Sequence, residues 1–479
     1  MNTGRYILLV FLLCLVILQS APMHAQEHYE DLEYPALNEI QVPEVTQVTL
    51  SNGMRLFLLE DHELPLISVS SRIRVGSCWE PAEKIGLAGI TGSVMRTGGT
   101  TTRTGDEIDE ELEYIAASVE TSIGKDAGSA SMSVLKEDVV KGLEILADIL
   151  MNPAFPDDKI ELAQVQQRSS IARRNEKPGT IAFREFGKLI YGTESVFARH
   201  TEYATVNSIT RDDLVAFHRS YFRPNNMFLA ASGDFDTAEM IGKIEAAFAG
   251  WEKGRVLTTP VPEVNYSYRQ TVNLVKKEDV NQATIVMGHI GGRMDDPDFF
   301  PLILMNRILG IGFNSRMFKE IRSHLGLAYS ATAKFSAKYD HPGLFYVYCA
   351  TASGNTVKAI RAMREEIKKI TREEVTDEEL DLARKAYLNS FVFKFAAKRK
   401  IVNRLMGYAY HGYPLDFLEK IKKNIENVTK ADILRVAEKH LQPDRMQLLA
   451  VGRSEDFDES LSVLGKVNAI DVSIPEQKP

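Results

Sequence analysis

Gly86-Leu87-Ala88-Gly89-Ile90-Thr91-Gly92-Ser93-Val94-Met95-Arg96-Thr97-Gly98-Gly99-Thr100 is the stretch on which the reading of this chain turns. It has the outline of a metal-binding helix without its ligands. A helix that holds zinc through H-x-x-E-H needs two imidazoles four residues apart on one face, with a carboxylate beside them as general base. At that spacing the chain carries Gly89, Gly92 and Ser93. None of the three is a good zinc ligand, and two glycines within one helical turn cost about 1 kcal/mol each relative to alanine.

Upstream, Leu50-Ser51-Asn52-Gly53-Met54 opens the folded part, and Asn-Gly between apolar runs is the strongest short hairpin signal. Strands are expected at Met54–Leu59 and Leu66–Val75. Downstream, Ile108, Leu112, Ile115 and Val119 recur at helical spacing and predict a helix over Asp106–Glu120, its many acids forming a solvated face. Thr121–Val134 is rich in Ser, Ala and Gly, with an interruption at Gly124-Lys125-Asp126. Small side chains on a strand allow another backbone to approach, as peptide addition to a sheet edge requires; a plain interior strand under a helix fits the composition equally well. Helices are expected over Leu135–Met151, Pro156–Asn175, Ile181–Tyr191 and Thr210–Tyr221.

An internal repeat divides the chain. Thr210-Arg211-Asp212-Asp213, Pro224, Met227 and Gly233 return as Thr429-Lys430-Ala431-Asp432, Pro443, Met446 and Gly452, each 219 residues later. A constant offset across a helix–turn–strand unit predicts two copies of one domain. They are expected at 45–252 and 264–470, joined by a linker at 253–263 that contains Pro260 and Pro262. A length of 479 residues also exceeds what one hydrophobic core organises. In the second copy, Val272–Gly291 predicts two strands, and Pro301–Leu309 takes the place of the ligand-free helix. Later helices are expected at Thr376–Phe395 and Lys398–Tyr410.

Charge and termini narrow the class. A formal charge of −8 gives no basic surface for nucleic acid. MNTGR, the apolar run Tyr6–Leu18 and a small residue at Ala25 predict a signal peptide over 1–25, hence export to the periplasm or medium and no membrane span after its removal. Cys78 and Cys349 then remain, too few for a disulfide framework, and are read as two partly buried thiols. His24-Ala25-Gln26-Glu27-His28 spells H-x-x-E-H, but it straddles the expected cleavage point and lacks helical periodicity, so it is read as an accident.

The run Gly86-Leu87-Ala88, seven varied positions, then Arg96-Thr97-Gly98-Gly99-Thr100 resembles the signature of the insulinase-like (pitrilysin) zinc metallopeptidases. That resemblance places the family's first His at Gly89, its Glu at Gly92 and its second His at Ser93. The third ligand, a Glu ahead of a run matched here by Asn175-Glu176-Lys177-Pro178, falls on Ser169 or Ser170. Every metal position is therefore vacated, and the metal set of this chain is read as none.

In the second copy, Arg322 and Tyr329, with the flanking Gly326-Leu327-Ala328, resemble the family's Arg/Tyr pair, which faces the zinc across the substrate chamber. A guanidinium fork holds peptide carbonyls or a carboxylate, and a phenol donates to an oxygen that becomes anionic. The competing reading is an arginine capping a helix end and a half-buried strand tyrosine. His324, between them, has no ligand spacing and is read as exposed or packing.

The resemblance implies an α+β fold of two homologous α/β-sandwich halves, each an antiparallel-rich sheet flanked by helices, arranged like a clamshell. It also implies an activity: the zinc-less subunit of a heterodimeric metallopeptidase. Such a subunit binds extended peptides and gives Arg322 and Tyr329 to a zinc-bearing partner of similar length. It is expected to be inactive alone and to carry no cofactor itself. The alternative is a non-hydrolytic peptide-binding or scaffold protein of the same fold. An autonomous zinc peptidase is opposed by the missing ligands.

Overall fold

A computed structural model describes residues 43–255 and 260–475. The expected signal peptide, the His24–His28 motif and linker residues 256–259 lie outside the described residues. The described residues pack as one unit built on two mixed sheets.

The first sheet contains β1 (Thr46–Thr49), β2 (Arg55–Glu60), β3 (Leu66–Ile73), β4 (Ser118–Ile123), β5 (Gly128–Leu135) and β6 (Met227–Gly233), in the order β1-β2-β6-β3-β5-β4. The Asn52-Gly53 turn does join a hairpin, with Thr49 opposite Arg55 and Gly53 at φ +84°. Its helices are α1 (Leu87–Thr97), α2 (Gly105–Tyr114), α3 (Val139–Met151), α4 (Asp157–Ala172), α5 (Pro178–Tyr191), α6 (Tyr203–Asn207), α7 (Arg211–Tyr221) and α8 (Thr237–Ala247). The main core lies between the sheet and α1, α3 and α7, around Leu56, Ile67, Met95, Leu146 and Leu214.

The expected helix over Asp106–Glu120 is too long. It stops at Tyr114, and Val119 belongs to β4. A cap without glycine ends it: Ala116 takes φ +48°, Ala116 N–H donates to Glu113 O, and Ala117 N–H donates to Leu112 O. Val119 continues the apolar period of the helix by coincidence, because it is also an inward residue of the strand. Gly124-Lys125-Asp126 is the turn between β4 and β5, so the small-residue stretch is two strands, with β4 on the sheet edge.

The second sheet contains β7 (Thr271–Lys276), β8 (Gln282–Ile290), β9 (Gly292–Arg293), β10 (Ala328–Lys338), β11 (Pro342–Ala352), β12 (Gln447–Gly452) and β13 (Val467–Ala469), in the order β13-β7-β12-β8-β11-β10-β9. Its helices are α9 (Phe299–Gly310), α10 (Thr356–Ile370), α11 (Asp377–Phe391), α12 (Lys398–His411), α13 (Phe417–Asn427) and α14 (Lys430–His440). The repeat is visible down to its hydrogen bonds. Capping boxes Thr210/Asp213 and Thr429/Asp432 start α7 and α14, and β6 and β12 follow each after a short 3-10 turn.

Each half also lends a helix to the other. Helix α5 lies on β8 and β12 of the second sheet, burying Ile181, Ala182, Phe186 and Ile190 against Val275, Val286, Leu449 and Val451. Helix α12 lies on β2, β3 and β6 of the first, burying Ile401, Val402, Met406 and Tyr410 against Phe57, Leu59, Phe228 and Ala230. The two apolar sets correspond at a constant offset of 220 residues (401 − 181, 402 − 182, 406 − 186, 410 − 190).

Cys78 and Cys349 are free and buried, and burial pushes each thiol up to about 12, so both are poor nucleophiles. No helix among the described residues is long and apolar enough to cross a membrane.

Candidate functional site

Helix α1 is anchored at both ends. The buried Glu80 carboxylate accepts the N–H groups of Gly86 (3.1 Å) and Ala88 (2.9 Å) at its N-terminus. Near its other end, Arg96 Nε donates to Val119 O (2.6 Å), and Arg96 Nη2 donates to Asp109 Oδ1 (2.5 Å). Leu87, Ile90, Val94 and Met95 face the core, so Gly89, Ser93 and Thr97 are left on the less buried side. Helix α4, which carries the exposed Ser169 and Ser170, packs against α1.

The two glycines of α1 sit in opposite surroundings. A Cβ built on Gly89 meets nothing within 4 Å. One built on Gly92 would lie 2.5 Å from Ile123 N and 2.9 Å from Ser122 C, both backbone atoms of β4. Thr121 Oγ1 of the same strand donates to Gly92 O at 2.6 Å. Strand β4 therefore leaves no space for a side chain at Gly92, the position to which the sequence resemblance assigns the general base.

These residues do not fit zinc. Positions 89 and 92 offer no side-chain donor, 93, 169 and 170 offer only hydroxyls, and 92 has no room for any side chain while β4 stays in place. Among the described residues, the carboxylate–imidazole group compact enough to hold an ion is Asp296, Asp298 and His440. It is already neutralised. Arg435 Nη1 and Lys439 Nζ each lie 2.6 Å from Asp298, and His440 Nε2 lies 2.8 Å away. Burial raises the Asp298 carboxyl, but these donors together hold it well below the usual carboxylate range.

The structure does bring Arg322 and Tyr329 together. Arg322 lies in a π-helix, Phe318–His324, and its Cζ is 4.7 Å from the ring centroids of both Phe318 and Tyr329. Phe313 extends the stack, edge-on to Phe318 at 5.0 Å. Tyr329 occupies a β-bulge. Ala328 pairs with Thr351 and Ser330 with Ala350, which leaves Tyr329 unmatched and 80% exposed. Both irregularities re-aim side chains, and both recur at functional sites. Arg322 makes no hydrogen bond or ion pair among the described residues, so its donors are open to a ligand rather than spent on a helix end. His324 is exposed and meets Glu320 at 3.0 Å, as a surface pair.

Neither the bulge nor the π-turn carries a sequence signature. Phe313 and Phe318 stand at i, i+5 upstream of Arg322, but Phe313 lies in the turn ahead of the π-helix, and spacing alone does not place it in the stack.

The family model described as Insulinase (Peptidase family M16) matches residues 57–197, and that described as Peptidase M16 inactive domain matches residues 208–387. The chain belongs to the M16, or insulinase, family. An "Uncharacterized zinc protease" of Rickettsia felis is 26% identical over 81% of this chain and 93% of its own length. A Bacillus subtilis protein of similar description, YmxG, is 23% identical over 75% and 87%. The crystal structure of a peptidase M16 inactive domain from Pseudomonas fluorescens superposes with a TM-score of 0.78 at 23% identity, covering 86% of this chain and 98% of that one. A protease from Helicobacter pylori gives 0.76 at 17% identity, over 86% and 100%. M16 membership thus accounts for the fold. The M16 match over 57–197 contains Gly89, Gly92 and Ser93, and the M16 inactive-domain match contains Arg322 and Tyr329.

Proposed function

We propose that this chain is the zinc-less, exported subunit of a heterodimeric M16 metallopeptidase. It holds an extended peptide and presents Arg322 and Tyr329 to a scissile bond at the zinc site of a partner chain. One observation carries the reading: a metal helix stripped and closed at Gly92 coexists with a stack of the half-buried, unspent Arg322 on the exposed Tyr329. A protein that had lost all peptidase involvement would have no need of a π-helix and a bulge to bring those two groups together. The guanidinium would orient substrate carbonyls, and the phenol would donate to the oxygen that gains charge. Strand β4, the last strand of its sheet and rich in small residues, is where an extended peptide would add.

The test is peptide cleavage by the chain alone and by the chain mixed with an M16 protein that retains H-x-x-E-H, encoded beside it or co-purified with it. Activity is expected only in the mixture. Chelator-sensitive cleavage by the chain alone refutes the proposal. A mixture whose rate ignores Arg322→Ala and Tyr329→Phe assigns the chain to the scaffold reading instead.

A further inference from the structure

At the seam where helix α5 meets the β10–β11 hairpin lies a cavity of about 760 Å³. Its walls are aromatic and imidazole rings already paired off: Phe197 stacks on His341 at 3.9 Å, and Tyr339 on His411 at 4.1 Å. Its charged lining is Arg72, Lys125 and Lys338 against Asp126 and Asp340. Asp340 is occupied by His341 Nδ1 at 2.7 Å, and Lys125 Nζ donates to Phe197 O at 2.6 Å. Arg72 rests over the Tyr410 ring at 5.7 Å. Neither Arg72 nor Lys338 forms an ion pair among the described residues.

The excess of positive charge continues behind the wall. A second cavity of about 160 Å³ shares Ala337 with the first and reaches Arg307 and Tyr387. Lys394 Nζ donates to Tyr387 Oη at 2.9 Å, and Arg404 Nη1 donates to Lys394 O at 3.0 Å. None of Arg307, Lys394 and Arg404 meets a carboxylate among the described residues. Burial, and then Arg404 and Arg307, bring the Lys394 ammonium down to about 8. Partly buried cations without a counter-charge are costly to hold. Four such cations, Arg72, Arg307, Lys394 and Arg404, cluster here beside the exposed Lys338 in a chain whose formal charge is −8, so composition does not account for them.

We propose that the seam cavity is a binding site for a small organic anion that carries a flat ring and two or more acidic groups. The ring slots against the stacked aromatic walls, and the acids meet Arg72 and Lys338 through charge-assisted hydrogen bonds. The volume suits a ligand of that size. The site is separate from the Arg322–Tyr329 stack: Lys338 lies nine residue steps along β10 from Tyr329, roughly 30 Å. It does not depend on the peptidase reading.

The test is isothermal titration calorimetry on the full chain with isophthalate (ring and charge), pyrophosphate (charge without ring) and isophthalamide (ring without charge). Isophthalate is expected to bind saturably at micromolar to low-millimolar concentration, pyrophosphate more weakly, and isophthalamide not at all. Arg72→Gln and Lys338→Gln are each expected to weaken isophthalate by roughly tenfold. Gly187→Leu is the occlusion test. Gly187 lines the cavity on α5, and a Cβ there meets nothing within 4 Å, so the variant should fold and abolish binding. Arg322→Ala should leave binding unchanged. The proposal is overturned if isophthalate shows no saturable binding, if it binds Gly187→Leu as well as the parent, or if isophthalamide binds equally. Binding of an acidic tripeptide such as Glu-Glu-Glu with no binding of isophthalate also overturns it.

Discussion

The Arg322 guanidinium carbon sits 4.7 Å from the centre of the Tyr329 ring, held there by a π-helix on one side and a β-bulge on the other. The contact fixes the ring through its face and leaves the phenol hydroxyl at an exposed end of the strand. Ring and hydroxyl can therefore be separated by mutation. Tyr329→Phe keeps the cation–π contact and removes only the donor, so melting temperature should not move. In the zinc-bearing mixture kcat should fall by roughly 10²–10³, with little change in KM. Arg322→Lys should not restore an Arg322→Ala loss, because an ammonium lacks the planar fork. Equal rates for Tyr329→Phe and the parent would remove the tyrosine from the chemistry.

Gly89 and Gly92 stand in one helical turn, yet the same substitution should act on them with opposite sign. Gly89→Ala enters open space and gains helix propensity, so stability should rise by up to about 1 kcal/mol. Gly92→Ala drives a methyl into the backbone of β4, and a loss of about 1–3 kcal/mol is expected. Urea denaturation of the two variants beside the parent measures both. A further consequence concerns reconstruction of the metal site. Gly89→His, Gly92→Glu and Ser93→His combined should still yield no stoichiometric zinc by elemental analysis, because β4 must move before residue 92 can carry a side chain.

What the residues revealed and what they concealed follow from the range of the interactions. The Asn52-Gly53 hairpin, the start of α7 at Thr210 and the recurrence of that segment at Thr429 are local, and each was legible. The 219-residue repeat showed two halves because identical local solutions recur. The end of α2 was concealed, since Ala116 adopts a left-handed conformation that sequence ordinarily assigns to glycine. Closure of β4 on Gly92 was concealed as well. The motif shows that a side chain is missing, and only the fold shows that the space is missing too. The seam cations Arg72, Arg307 and Lys394 lie in three distant segments, and no spacing rule joins them.

Acid should loosen the fold before its carboxylates titrate. His218 Nε2 donates to Leu150 O at 2.9 Å. His289 donates from Nδ1 to Ile290 O at 2.6 Å and accepts from Gln442 N–H at Nε2. Burial brings both imidazoles down to about 4 from an ordinary 6.5. Between those values the unfolded chain binds more protons than the folded one, so stability is complete above pH 6.5 and is lost as pH falls towards 4. Each histidine contributes on the order of 3 kcal/mol over that window. Denaturation midpoints at pH 7, 6 and 5 should fall in sequence. An NMR titration should show both rings neutral at pH 5.5, and an imidazolium signal there from either ring would contradict this account.

The exchanged helices tie the two halves into one folding problem. Met406 belongs to the second half in sequence, but it is buried against Phe57 and Phe228 of the first sheet. Met406→Ala should cost about 2–5 kcal/mol by opening a cavity in that outer layer. The loosening should appear mainly across the chain. Amide exchange should accelerate in β2 and β6, the strands under α12, more than in β8 and β12, which lie under α5. Phe186→Ala on α5 should give the mirror result, accelerating β8 and β12. If instead each substitution loosened only the sheet of its own half, the helices would be docking on surfaces that are stable without them. A single thermal transition for the parent chain, shifted as a whole by either variant, is the outcome that interlocked halves require.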